Sequence, residues 1–247
     1  METLGVNPEI VNIAIFAKAP EAGVAKTRLI PALGAQGAAR LQRQLTQRAV
    51  ETARQAGLGA VMLWCAPHPL HRSFRALRKR TGVDCHTQTA GDLGQRMLHA
   101  FISQCEHGPL LVIGTDCPAL KPDDLRLAAQ VLRDGDDTVV FPAEDGGYVL
   151  IGLRQPQPAL FERIAWGTGS VMDETRARLR ASGVTWREPR TLWDVDRPAD
   201  LFRLARLWQD EEQRVALSLA HATTGAGAKI SGASDEAQLC DLSLGPA

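Results

Sequence analysis

The chain has 247 residues, 45% of them hydrophobic, a normal globular composition for one large domain or a domain with a tail. Its 28 Lys and Arg balance 28 Asp and Glu, so no global field draws nucleic acid or a membrane, and any anion site has to be built locally. Cys65, Cys85, Cys105, Cys117 and Cys240 are odd in number and nowhere spaced as CxxC, no apolar run approaches the ~18 residues of a membrane helix, and residues 1–9 lack the basic-then-apolar order of a signal peptide, which together point to reduced thiols in the cytoplasm rather than a disulfide framework or a structural zinc.

Residues 11–16, VNIAIF, are a β-branched run bounded by turn chemistry and predict a first strand. Between Gly34 and Ala56 the apolar positions Ala38, Leu41, Leu45, Ala49 and Ala53 recur every three or four residues, the period of a helix burying one stripe. Residues 60–65 predict a second strand, 70–80 a basic helix and 83–87 a third strand. Leu93, Met97, Phe101 and Cys105 mark the next helix, and 110–113 is a fourth strand. Pro122 then opens a helix with Asp123 and Asp124 in its first turn. This alternation implies a parallel sheet with helices on both faces.

After Gly135 the rhythm breaks. Residues 138–141 and 148–151 are separated only by PAEDGG, too short for a parallel crossover, so a hairpin is expected and the sheet is mixed, with one antiparallel strand. Ser170-Val-Met-Asp173 reads as a capping box opening a helix to about Ala181. A last strand is expected over 184–188 and a closing helix over 198–209, so the core domain spans 10–210. Beyond Glu211 the chain drifts into Ala, Gly, Ser and Thr; a helix extension over 215–220 and a flexible tail over 223–247 are expected.

The strand at 110–113 runs into Gly-Thr-Asp-Cys-Pro, delivering Thr115 and Asp116 to the carboxyl end of the sheet, where open α/β sheets bind ligands. Capping the helix near Pro122 is the alternative use of these residues. The loop after the first strand carries Lys18, Gly23, Lys26, Thr27 and Arg28. A glycine-containing loop with three cations can wrap nucleotide phosphates through backbone N–H groups and charge, although it lacks the spacing of a Walker loop. At the end of the third strand, QTAGDLGQRM holds Gln88, Gly91, Asp92, Leu93, Gly94 and Arg96. Its glycines permit close approach and the Gln88 amide suits a nucleobase, while Asp92 suits a helix cap equally well.

Glu144 and Asp145 put two carboxylates in a tight turn closed by Gly146 and Gly147, beside the strand that delivers Asp116, and a plain turn needs only Asp-Gly. Asp194 and Asp196 precede the closing helix, where Asp196 is either a site carboxylate or the N-cap ahead of Pro198. Trp166 and Thr168 lie in the loop before the helix at 170, where a tryptophan commonly serves packing. His68 and His71 form an HxxH without a third ligand at zinc spacing and read as surface histidines, and no GxSxG or HExxH motif occurs.

Taken together, FAKAPEAGVAKTRL, QTAGDLGQRM, GTDCPAL, PAEDGGYVLIGL and WDVDRPADL resemble the GT-A-like glycosyltransferases associated with radical-SAM proteins, a group linked to arsenosugar biosynthesis. The layout is also similar to molybdenum-cofactor and phospholactate guanylyltransferases. The resemblance implies an α/β, three-layer α/β/α GT-A fold of the nucleotide-diphospho-sugar transferases. It also implies Mg²⁺ or Mn²⁺ on Asp116 and Asp196, a nucleotide or nucleotide-sugar donor, and a small-molecule acceptor. GTDCP supplies one aspartate where many sugar transferases have DxD. Under this reading Lys18, Lys26, Arg28 and the metal stabilise a departing diphosphate, with Asp116, Glu144 and Asp145 completing the catalytic set. A guanylyltransferase-like nucleotidyltransferase releasing pyrophosphate, and a non-catalytic nucleotide-binding module, remain alternatives. The base, the sugar, the acceptor and the oligomeric state are left open.

Overall fold

The computed structural model describes residues 10–227, and side chains to residue 213. Strands and helices alternate as β1 (Asn12–Lys18), α1 (Ile30–Ala56), β2 (Val61–Ala66), α2 (Arg72–Thr81), β3 (Asp84–Thr87), α3 (Leu93–Gln104), β4 (Leu110–Ile113) and α4 (Pro122–Arg133). Then come β5 (Thr138–Pro142), β6 (Tyr148–Leu153), α5 (Val171–Ser182), β7 (Trp186–Arg187) and α6 (Asp200–Gly227). The seven strands form one sheet in the order β3-β2-β1-β4-β6-β5-β7. β6 alone runs antiparallel, to β4 on one side and β5 on the other, so the sheet is mixed with one antiparallel strand, as the six-residue gap requires.

Alternate strand residues feed two cores, because successive side chains of a strand point to opposite faces. Ile13, Ile15, Leu111 and Ile113 pack with Val50 of α1, Phe74 and Leu77 of α2 and Leu125 of α4. Ala14, Met62, Val112 and Ile151 pack on the other face with Met97 and Phe101 of α3 and Leu179 of α5. These are three layers, α/β/α, and the continuous apolar runs of β1 and β4 are what strands covered on both faces require. The order steps outward from β1 to β2 and β3 on one side and to β4 on the other, which opens a crevice between the carboxyl ends of β1 and β4. The β5–β6 turn and the segment after β7 reach the same edge.

Local differences from the expected elements have identifiable causes. α1 begins at Ile30, with Pro31 in its first turn, and is interrupted at Gly34 (φ 67°, ψ 164°), so its regular run starts where the spacing predicts. Ser170 does not form the expected capping box: its hydroxyl donates to Glu174 Oε1 at 2.8 Å, and Asp173 pairs with Arg176. The closing helix starts at Asp200 rather than Pro198, because the Asp200 carboxylate accepts the Asp196 and Arg197 amides at 3.0 and 2.7 Å and so holds the preceding turn. β7 is only two residues long, since Glu188 turns out to Arg176 (2.7 Å) and Trp186 Nε1 (3.2 Å).

α6 runs past Ala220 to Gly227. Residues to Leu204 form one compact unit, and a second begins at Ala205. The tail beyond residue 227, Cys240 and the N-terminal nine residues lie outside the described residues. Cys65, Cys85, Cys105 and Cys117 carry free thiols, and burial pushes Cys105 and Cys117 up to about 12. No helix among the described residues is long and apolar enough to cross a membrane.

Candidate active site

Asp116 is held from below by a buried hydrogen-bond chain that starts on α1. Thr46 Oγ1 donates to the Gln42 carbonyl (2.8 Å), Gln42 Nε2 donates to Thr115 Oγ1 (3.0 Å), and Thr115 Oγ1 donates to Asp116 Oδ1 (3.3 Å). Gln42, Thr46 and Thr115 are all buried. Replacing Gln42 by Leu should therefore cost about 1–3 kcal/mol, the penalty for leaving a buried hydroxyl without its donor; urea denaturation reads this directly, and an unchanged midpoint would remove the chain's importance.

From above, Lys26 Nζ meets Asp116 Oδ1 at 2.8 Å and donates to the Val195 carbonyl, while the Val195 N–H donates to the Asp116 carbonyl at 2.8 Å. One ammonium, on a side chain 3% exposed, thus ties together the loop after β1, the loop after β4 and the segment after β7. Lys26 adopts a left-handed backbone (φ 50°, ψ 45°), which costs a non-glycine residue roughly 1–2 kcal/mol and is offset by this anchoring. Both of these bonds to the Asp116 carboxylate fall on Oδ1, so its second oxygen is not used by them.

Other carboxylates converge on the same edge. Burial first, then the charges of Asp145 and Asp116, together push the Asp194 carboxyl up to about 6. Arg28 pairs with Asp196, whose hydrogen bond raises the guanidinium, and Arg28 also feels Asp145 and Asp194. Four carboxylates, Asp116, Asp145, Asp194 and Asp196, thus surround two cations. This excess of negative charge on hard oxygens suits a divalent ion such as Mg²⁺ or Mn²⁺. Among the described residues no three such donors enclose an ion unaided, so oxygens from substrate or water would have to complete its shell. Beside them opens a cleft of about 370 Å³ lined by Arg28, Asp145, Thr168, Asp194, Asp196 and Arg203 among others, within the size range of small-molecule sites.

The remaining residues singled out from the sequence divide between cleft and scaffold. Glu144 is gripped by Arg203 through two bonds of 2.6 and 3.0 Å, which hold its carboxyl below the usual range, and Arg203 lies over Trp193 at 4.5 Å. Asp145, next to it, accepts the Gly147 N–H at 2.9 Å. Gly146 (φ 91°) has no room for a side chain, because a Cβ there would stand 2.1 Å from the Gly169 carbonyl oxygen. The acidic turn is thereby packed against the loop carrying Trp166 and Thr168. Trp166 packs on Gly94 and edge-on to Tyr148 (6.3 Å), whereas Thr168 lines the cleft with its hydroxyl bonded to the Ala165 carbonyl (2.7 Å).

Gln88 does not present its amide outward: Nε2 donates to the Trp64 carbonyl at 2.8 Å and the Ala17 carbonyl at 3.4 Å, fastening the ends of β2 and β1. Asp92 and Gln95 form the capping box of α3, and Gly91 is needed there because a Cβ would meet Gln95 Oε1 at 2.1 Å. Arg96 Nε donates to the Gly91 carbonyl (2.9 Å), and Leu93 is exposed. Lys18, Gly23 and Thr27 are exposed, so of the three cations in the first loop Arg28 is the one that lines the cleft. Gln42, Trp193 and Arg203 are participants that sequence spacing did not single out, and Asp194 was placed beside Asp196 without a role of its own.

Among solved structures, the chain is similar to a protein of Desulfovibrio desulfuricans G20 provisionally described as a nucleotide-diphospho-sugar transferase, with 27% identity and a TM-score of 0.70 over 76% of this chain and 82% of that one. It also shares its fold with the 4-diphosphocytidyl-2C-methyl-D-erythritol synthase of Anaerococcus prevotii DSM 20548 (8% identity, TM-score 0.58, 83% and 98% covered). The glucosyl-3-phosphoglycerate synthase of Mycobacterium tuberculosis, solved with Mn²⁺, UDP and glucosyl-3-phosphoglycerate, is a further match in fold (8% identity, TM-score 0.50, 78% and 75% covered). The architecture is thus the GT-A-like fold of the nucleotide-diphospho-sugar transferases. No curated protein matches the sequence. The model of one bacterial family matches residues 32–168, more than half of the chain, and the chain belongs to that family, described as an uncharacterized protein conserved in bacteria, DUF2064.

Proposed function

We propose that the protein is a divalent-metal-dependent transferase that takes a sugar from a nucleotide-diphospho-sugar and passes it to a small-molecule hydroxyl. The observation that carries this reading is the convergence of Asp145, Asp194 and Arg28 on one cleft at the carboxyl edge of the sheet, with Asp116 beside it and near enough to raise the Asp194 carboxyl. In this proposal Asp116, through Oδ2, and Asp194 hold Mg²⁺ or Mn²⁺. When bound, the ion would neutralise charge on the departing diphosphate. Arg28 binds the same diphosphate and exchanges its bond to Asp196 for one to phosphate, so Asp196 orients a cation rather than serving as the second ligand. Asp145 takes the proton of the acceptor hydroxyl as its oxygen bonds to the sugar and the sugar–phosphate bond breaks. Glu144, already gripped by Arg203, shapes the acceptor side and is not the base. The likeness to radical-SAM-associated transferases of arsenosugar type, and a cytoplasmic setting, are consistent with this reading.

Nucleotidyl transfer with release of pyrophosphate is the second reading. A triphosphate calls for several free cations, and Lys26 is committed to Asp116 and Val195, which favours a diphosphate donor. Nucleoside diphosphates should raise the melting temperature, and more so with Mn²⁺ or Mg²⁺, because a ligand of the native state stabilises it by mass action. Flat melting curves with every common nucleotide would count against both readings. Incubation with candidate donors and acceptors then separates them: a nucleoside diphosphate released from a nucleotide sugar supports sugar transfer, whereas pyrophosphate released from a triphosphate, with no nucleotide sugar turned over, replaces it.

A further inference from the structure

The basic helix α2 has no part in the site described above. It carries Arg72, Arg75, Arg78, Lys79 and Arg80 and no acidic residue. Together with α1 it bounds a second cleft of about 620 Å³, on the helical layer rather than at the crevice between β1 and β4. Arg40 and Arg43 enter it from α1, and Arg72 and Arg80 from α2. Positions 36, 40, 43 and 47 form one stripe of α1, and 72, 76 and 80 one stripe of α2, so the two rows face each other. Ala39 and Ala76 sit between the arginines, and such short side chains leave the space open.

The charge in this cleft is unbalanced. Arg80 reaches Glu51 at 3.4 Å, an exposed pair. Glu21, on the neighbouring loop, faces His71 at 3.9 Å rather than an arginine. Arg40, Arg43 and Arg72 have no carboxylate partner among the described residues. In a chain with no net charge, three uncompensated guanidiniums lining one concavity are a local anion field. Guanidinium forks match phosphate oxygens in pairs, and Gln36, Gln47 and Ser73 add neutral hydrogen-bonding groups to the same walls. One monoanion cannot neutralise three such groups.

We propose that the α1–α2 cleft is a binding site for a small molecule bearing two or more phosphate groups, separate from the transferase cleft. A molecule of that kind fills a concavity of this volume, whereas an extended polymer or a lipid surface calls for a flat or continuous basic face.

Titration calorimetry of the full chain with inorganic tripolyphosphate, without divalent metal, tests this. Wild type should bind, and R40Q/R43Q/R72Q should bind at least about tenfold more weakly, as expected when several charge-assisted contacts are lost. Arg28→Ala should leave in place the binding that the triple variant loses, so that any tripolyphosphate taken up by the transferase cleft is told apart from it and failure here is distinct from failure of the transferase reading. Circular dichroism checks the fold; should the triple variant not fold, the exposed single changes Arg43→Gln and Arg72→Gln are measured instead and should each weaken binding. Equal affinity in the folded variants, or binding abolished by Arg28→Ala alone, overturns the proposal. So does binding to phosphatidylglycerol vesicles or to short RNA with none to tripolyphosphate, which would reassign the arginines to a membrane or a nucleic acid.

Discussion

Replacing Asp116 by Asn is expected to reduce turnover by at least two to three orders of magnitude, the scale of losing one preorganised electrostatic contact to a transition state. The substituted amide keeps an oxygen that can accept from Lys26 and Thr115, so the hydrogen bonds at Oδ1 persist in kind while the charge disappears. The ligand-free melting temperature should fall only modestly. The extra stabilisation that Mn²⁺ adds to a bound nucleoside diphosphate should vanish. Wild-type turnover in this variant would remove Asp116 from the chemistry, and a collapse of the fold would mean that its role is scaffolding.

Lys26→Met is expected to affect stability and turnover together. The ammonium is the common partner of Asp116 and the Val195 carbonyl, and without it three segments lose their shared tie. Breaking a fully buried pair costs roughly 3–5 kcal/mol, but Asp116 is 49% exposed and water can take over its charge, so about 2 kcal/mol is the expected loss. Turnover should fall about a hundredfold or more, because the carboxylates of the β4 loop and the β7 segment are no longer held in register. Lys26→Gly separates the two effects: glycine is at ease in the left-handed backbone, so it should be more stable than the Met variant by about 1 kcal/mol and equally inactive. Urea denaturation and steady-state rates on both variants decide this, and an active Gly variant would show that the ammonium is dispensable.

Much of the fold was readable because its causes are local. LLVI is apolar throughout and VNIAIF is apolar but for Asn12, whose Oδ1 accepts the Ala60 N–H, as suits doubly covered strands, and a six-residue gap between strands leaves no room for a crossover. A mixed, mostly parallel sheet with helices on both faces follows from these, whereas its GT-A-like character was implied only by the resemblance of the loop motifs. Ser170 was misread because a serine three residues before an acid can serve a cap or a side chain one turn away, and here Glu174 claims it. The site was legible at the level of loops: the first cationic loop, Thr115-Asp116 and the acidic turn all reach one edge. Which side chain of each loop faces the cleft was not. Asp194 and Asp196 are two apart in an extended segment, so spacing cannot rank them; burial beside Asp116 and Asp145 distinguishes Asp194, and Arg28 takes Asp196. Gln42 reads in sequence as a polar interruption of an apolar stripe, and only the position of Thr115 across the sheet explains it.

The near-complete enclosure of Lys26 has a practical consequence for covalent labelling. Lys18, Lys79 and Lys121 are exposed and should acylate readily with an amine-directed reagent, whereas Lys26, at 3% side-chain exposure, should be spared in the intact protein. Its modification requires the β4 loop and the β7 segment to separate first, so the rate at which mass spectrometry finds Lys26 acylated becomes a clock for that opening. A nucleotide that clamps the three segments should slow the clock without altering the labelling of Lys18, Lys79 and Lys121.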